Sequence, residues 1–210
     1  MGVDRAAKVT RARFIRLAIF VLALAPAVDL AIAFSSGALA TPYRTILHQT
    51  GLWSMRLLTL GLLISPLTRL TGWVWPSLLR RMLGLLAASY AFAHTWAFCR
   101  QYGYFWSLIL PEFTRLYMAL GLAAVMLLVP LTLTSNARAR QALGAAWAKL
   151  HQLAYPIALL ALIHFMLFRA IAPRESWIHA ALITVALVTR FVPRRTSRAK
   201  RDRAGGTSAV

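Results

Sequence analysis

The sequence predicts an all-α integral membrane protein, a six-transmembrane-helix bundle with both termini cytoplasmic. Of its 210 residues 60% are apolar and only 14% charged, with a mean hydropathy of +0.64, whereas a soluble domain carries about a quarter charged residues. The apolar residues gather into six continuous runs at about 17–34, 46–66, 82–99, 114–133, 150–170 and 177–192, each near the roughly 20 residues that cross a bilayer core as a helix. Lys and Arg, 24 against 5 Asp and Glu, cluster at the ends of these runs, where cations anchor membrane segments.

The runs are helices rather than barrel strands because they are continuous and not alternating. The first follows Arg13 and Arg16 and stops at Ser35-Ser36-Gly37. With Ala38-Leu39-Ala40 behind it, this stretch also resembles a signal peptide. It is expected to be retained, since about 18 apolar residues exceed the 7 to 15 of a signal core. The second run closes at Ser65-Pro66, with Thr71-Gly72 beyond, and the third lies between Arg80-Arg81 and Arg100. Pro111 precedes the fourth, Thr134-Ser135-Asn136 follows it, and Pro173 separates the fifth from the short sixth. Such residues cap or interrupt helices. Residues 1–16 are a basic N-terminal segment, 17–192 the membrane domain, and 193–210, with Arg194, Arg195, Arg198, Lys200, Arg201 and Arg203, a flexible cationic tail.

A formal charge of +19 raises nucleic-acid binding, but that needs the cations on a soluble surface. Here eighteen fall on the side that holds the termini and five, Arg44, Arg100, Arg115, Arg169 and Arg174, on the other, with Arg56 inside a run. This bias places both termini in the cytoplasm. A single cysteine, Cys99, excludes an internal disulfide and a cysteine-built zinc or iron–sulfur site.

Ionisable groups inside the membrane are costly and mark function. His94 lies 13 residues beyond Arg81, and His164 lies 13 beyond His151, about 19.5 Å along a straight helix in each case. His94 and His164 therefore share a depth towards the outer face, on two helices that run the same way, where two imidazoles can hold one haem b iron from opposite sides. His151 lies at the depth of Arg81 near the cytoplasmic edge. A second haem there has one histidine and an arginine that offers iron no lone pair. Thirteen residues leave His151 and His164 about 140° apart around a straight helix, so they share a face only if the helix is re-phased, for which Pro156 is the candidate.

Arg80-Arg81-Met82-Leu83-Gly84-Leu85 leading to His94, together with Leu133-Thr134-Ser135, Leu143-Gly144, Trp147, Leu150-His151, Tyr155 and Ile163-His164, resembles the MsrQ (YedZ) family. His48-Gln49-Thr50-Gly51 and Ile64-Ser65-Pro66-Leu67 add to the likeness, which spans about residues 14–192. The resemblance implies a ferric-reductase-like transmembrane domain in a bacterial inner membrane, the haem-binding subunit of a periplasmic protein-methionine-sulfoxide reductase system. Electrons would come from the quinone pool or a cytoplasmic flavin reductase. They would leave to a molybdenum-cofactor catalytic subunit that repairs oxidised proteins. His94, His151 and His164 match the haem-associated histidines of the family. The division between one and two haems stays open, because Arg81 stands where a fourth ligand would. FMN is also associated with the family, although the chain has no Gly-rich phosphate loop to assign to it.

Arg56 is expected to pair with a haem propionate or to snorkel. Arg80 and Arg81 are expected at an inner propionate or a flavin phosphate, or as topology signals. His48, counted from Pro66, comes about 8 Å shallower than His94, suited to a quinone or partner contact or a structural cap. His179 is expected to be interfacial. The competing functions are a b561-like or ferric reductase acting on a small molecule or metal, and a small transporter or structural subunit. A transporter should show internal repeats, or broken helices with paired acidic residues near the midplane, and the sequence is expected to hold neither. With no NAD(P)H or flavin domain, the chain suits a subunit of a reductase system rather than a complete enzyme.

Overall fold

The apolar runs fold as helices in the computed structural model, which describes residues 2–73, 75–168 and 173–191. The predicted tail 193–210 and Arg169 lie outside the described residues. In chain order the helices are α1 (Gly2–Ser35), α2 (Pro42–Thr71), α3 (Arg80–Gln101), α4 (Trp106–Glu112), α5 (Leu116–Leu133), α6 (Ala137–Leu143), α7 (Ala145–Leu150), α8 (Ala154–Leu167) and α9 (Pro173–Phe191), with 3-10 turns at Trp75–Leu78 and His151–Leu153. No strand occurs among the described residues.

Five segments are long and apolar enough to cross a membrane: Arg13–Ser35, Pro42–Thr71, Trp75–Gln101, Leu116–Leu133 and Ala145–Leu167. The sixth predicted run is a helix too, α9, but its 19 residues include Arg174, Glu175 and Arg190, and it does not join those five.

Most of the expected turns fall where the residues placed them. Gly37 takes φ +69° after α1, and Gly72 takes φ +70° as the left-handed cap of α2, a conformation that costs a glycine little. The Asn136 side chain caps α6 by accepting from the Ala139 N–H at 2.7 Å. Ser65-Pro66 is a correction. Pro66 lies inside α2, which runs on to Thr71, because a membrane helix tolerates an internal proline that would stop a soluble one.

α2 and α3 pack antiparallel and closely. The Ser54 hydroxyl donates to the Ala87 carbonyl at 2.9 Å, Gly61 lies beside Leu83, and Leu57, Ile64, Leu79, Leu83 and Leu86 form one buried cluster. α1 touches that cluster through Ala23, whose carbonyl accepts from the Tyr90 hydroxyl at 2.7 Å. Leu17, Leu22 and Ile32 on α1 stay exposed, an apolar exterior suited to lipid. α5 packs on α8, and α9 packs on both α2 and α8 around Met55, Leu162 and Ile183.

Candidate functional site

Between α2, α3, α5 and α8 runs a cavity of about 1310 Å³. Arg44 and Arg115 line one end and Arg80, Arg81 and Arg140 line the other, with His48, His94, His151 and His164 along its walls.

Two of those histidines are held in the same way. His94, on α3, donates its Nδ1–H to the Leu47 carbonyl of α2 at 2.7 Å. His164, on α8, donates its Nδ1–H to the Tyr117 carbonyl of α5 at 2.5 Å. A carbonyl only accepts, so each bond fixes the tautomer and leaves the Nε2 lone pair free. The ring centres are 6.2 Å apart and the ring planes cross at 87°.

That separation tests what the pair can hold. A metal–imidazole bond is about 2 Å and the nitrogen lies about 1 Å from its ring centre, so two rings on one metal have centres roughly 6 Å apart. No group of three or more His, Cys, Asp or Glu able to hold a metal ion occurs among the described residues. A bare ion is therefore poorly served here, whereas a porphyrin iron brings its own in-plane nitrogens and asks the protein only for axial ligands. The site fits haem.

The other end differs. His151 is half-buried and stacks on Trp147 with centres 4.0 Å apart and planes at 27°, and the Arg140 guanidinium lies over the Trp147 ring, 5.4 Å from its centre. Nε2 of His151 is 3.2 Å from the Thr134 hydroxyl, which itself donates to the Pro130 carbonyl at 2.6 Å. The hydroxyl oxygen is then the acceptor, and Nε2 carries the proton. Arg81 lines the same end of the cavity.

His151 and His164 line one cavity because the helix does not run straight between them. Residues His151–Leu153 form a 3-10 turn before α8 begins. Three residues at about 120° instead of about 100° cut the angular offset from about 140° to about 80°. Pro156 sits in the first turn of α8, where proline is tolerated. The re-phasing comes from the 3-10 turn just before it.

Two placements correct the sequence reading. Arg56 does not line the cavity. Its guanidinium pairs with the Glu175 carboxylate of α9 at 2.7 Å and lies over the Trp53 ring, 4.9 Å from its centre, so it is engaged elsewhere than at a haem carboxylate. His48 is not shallower than His94: the carbonyl that holds the His94 ring belongs to the residue just before His48. The depth count failed because α2 passes Pro66 to Thr71, so Pro66 and Arg81 do not mark one level.

His179, expected to be interfacial, is 7% exposed, with Nδ1 at 2.9 Å from the Thr59 hydroxyl. Glu175 and His179 thus tie α9 to α2. Glu175 was not singled out in the sequence, and at 119 positions from Arg56 no local signal announces the pair. At the Arg115 end of the cavity, burial and the neighbouring Glu112 carboxylate push the Tyr102 phenol above its ordinary value.

The expected absence of an internal repeat is a further correction. Leu47 and Tyr117, Gly51 and Gly121, Arg81 and His151, and His94 and His164 each stand 70 positions apart. The two hairpins, α2 with α3 and α5 with α8, are built to one plan, and Arg81 takes in the first the position His151 takes in the second.

An apolar helical bundle whose cavity offers two tethered imidazoles defines a membrane haem-binding protein of the electron-transfer type. The chain matches the family model described as ferric reductase like transmembrane component over residues 50–162, and it is a membrane protein. It is 40% identical over 161 residues to the protein-methionine-sulfoxide reductase heme-binding subunit MsrQ of Xanthomonas axonopodis pv. citri, covering 76% of this chain and 74% of that one. It is 36% identical over 197 residues to the MsrQ of Rhodospirillum rubrum, covering 90% and 95%. It is 34% identical over 185 residues to that of Azospira oryzae, covering 86% and 79%. The chain belongs to the MsrQ family of ferric-reductase-like transmembrane proteins. No solved structure matches it.

Proposed function

We propose that this chain is the haem b-bearing membrane subunit of a protein-methionine-sulfoxide reductase system, passing electrons across a bacterial inner membrane to a periplasmic catalytic subunit. The names of its relatives support that assignment. The single observation that carries it is the pair His94 and His164, each tethered through Nδ1, with ring centres 6.2 Å apart.

Haem bound there supplies reversible one-electron chemistry. The residues of the chain do the rest. The Leu47 and Tyr117 carbonyls orient the two rings and raise the basicity of Nε2. Leu52, Leu128 and Ile157 line the cavity with apolar surface, which limits water. Arg80, Arg81 and Arg140 offer guanidinium groups to a propionate, or to the phosphate of an FMN at the same end.

In this reading α9 is a sixth span, both termini are cytoplasmic, and the first helix is retained. Reductant comes from quinol or a cytoplasmic flavin reductase, and His48 contacts the quinone or the partner. His151 serves electron entry at the cytoplasmic end, with or without a second haem. The acceptor is a molybdenum-cofactor reductase that repairs oxidised methionine.

Purified in detergent, the protein should show a Soret band that shifts on dithionite reduction. Pyridine haemochrome quantification on wild type and on His94→Ala, His151→Ala and His164→Ala should give the haem number. A colourless wild type ends the proposal.

A further inference from the structure

Each tethered ring lies against a glycine one turn beyond the carbonyl that holds it. Gly51 follows Leu47 by four residues on α2, and Gly121 follows Tyr117 by four on α5. A Cβ built on Gly51 comes 2.8 Å from Nδ1 and 3.0 Å from Cε1 of His94. A Cβ on Gly121 comes 2.7 Å from Nδ1 and 2.9 Å from Cε1 of His164. The same clearance thus occurs twice, once in each hairpin, and at no other described glycine is an added Cβ set against a histidine.

We infer that Gly51 and Gly121 are positioning residues for the two imidazoles: their missing side chains let the Nδ1–Cε1 edge of each ring come close enough to the neighbouring helix to reach its carbonyl and fix its plane. The atom a methyl would strike is the nitrogen that makes the tether. The ring cannot turn away without losing that hydrogen bond, and it cannot stay unless the helices part. Both glycines lie within helices, where glycine is less favourable than alanine, so local helix stability does not account for them. The inference rests on the haem reading of the site.

The test uses the full chain in detergent, with Gly51→Ala, Gly121→Ala, His94→Ala and the double variant Gly51→Ala/His94→Ala. Each glycine variant should retain haem roughly 10-fold less tightly. The haem that stays should show an altered low-spin ferric EPR signal, since the ring plane is no longer fixed. A thermal-stability cycle on the haem-free forms keeps the inference open to refutation if loading fails: Gly51→Ala should lower the midpoint when His94 is present and should not when it is alanine. Wild-type haem retention and EPR in both glycine variants, or an equal thermal penalty in both backgrounds, overturns it. A wild type without haem overturns the site reading instead, and the cycle still decides the packing claim.

Discussion

The two ends of the cavity hold the same residue type in opposite states. Near Gly51 and Gly121, two histidines direct Nδ1 to carbonyls and keep Nε2 free. At the end lined by Arg80, Arg81 and Arg140, His151 has Nε2 engaged with Thr134 and its ring face covered by Trp147. A histidine becomes a ligand through its second partner: a backbone carbonyl on Nδ1 readies Nε2 for a metal, whereas a hydroxyl at Nε2 occupies the very atom a metal would use. Iron binding at His151 therefore requires a change that iron binding at His94 and His164 does not.

The contrast breaks most readily at the tethered pair. His94→Ala and His164→Ala should each remove the haem proposed between them, which haemochrome content reports. Full haem with an unchanged spectrum in either variant would refute the pairing. His151→Ala should leave that haem and slow its reduction from the membrane face nearest His151, seen by stopped-flow absorbance in vesicles with reductant on that side only. Loss of the signal from the His94–His164 site instead would merge the two ends into one site.

A smaller effect is expected at the clamp between α2 and α9. Glu175→Gln removes the negative charge that faces Arg56 and should cost about 1 kcal/mol of stability in detergent, leaving the haem spectrum alone because Arg56 does not line the cavity. A spectral change would restore Arg56 to the site. The smallest is Thr134→Val, which deletes one hydrogen bond to His151 at about 1 kcal/mol. It should alter spectra only if His151 takes up iron, so it reports whether a second haem binds there.

The sequence made the depth of the tethered pair legible, because 13 residues separate His94 from Arg81 and His164 from His151, and helical rise is constant. Gly37, Gly72 and Asn136 announced their turns through conformations and caps that few other residues supply. Pro66 misled because solvent, rather than proline alone, ends soluble helices there, and the depth of His48 was misjudged with it. Orientation was beyond reach. Which nitrogen of a histidine meets a carbonyl depends on a helix 47 residues away, and the partner of Arg56 lies on α9. The 70-residue correspondence was within reach, and it would have drawn attention to Gly51 and Gly121 beside the histidines.

The central claim is that His94 and His164 share one iron with their planes crossed. Ferric EPR on wild type and on the two single variants tests it most directly. Crossed imidazoles should give one strongly anisotropic low-spin signal that either substitution removes entirely. A signal that survives in one variant, or two signals each lost separately, would contradict the shared iron.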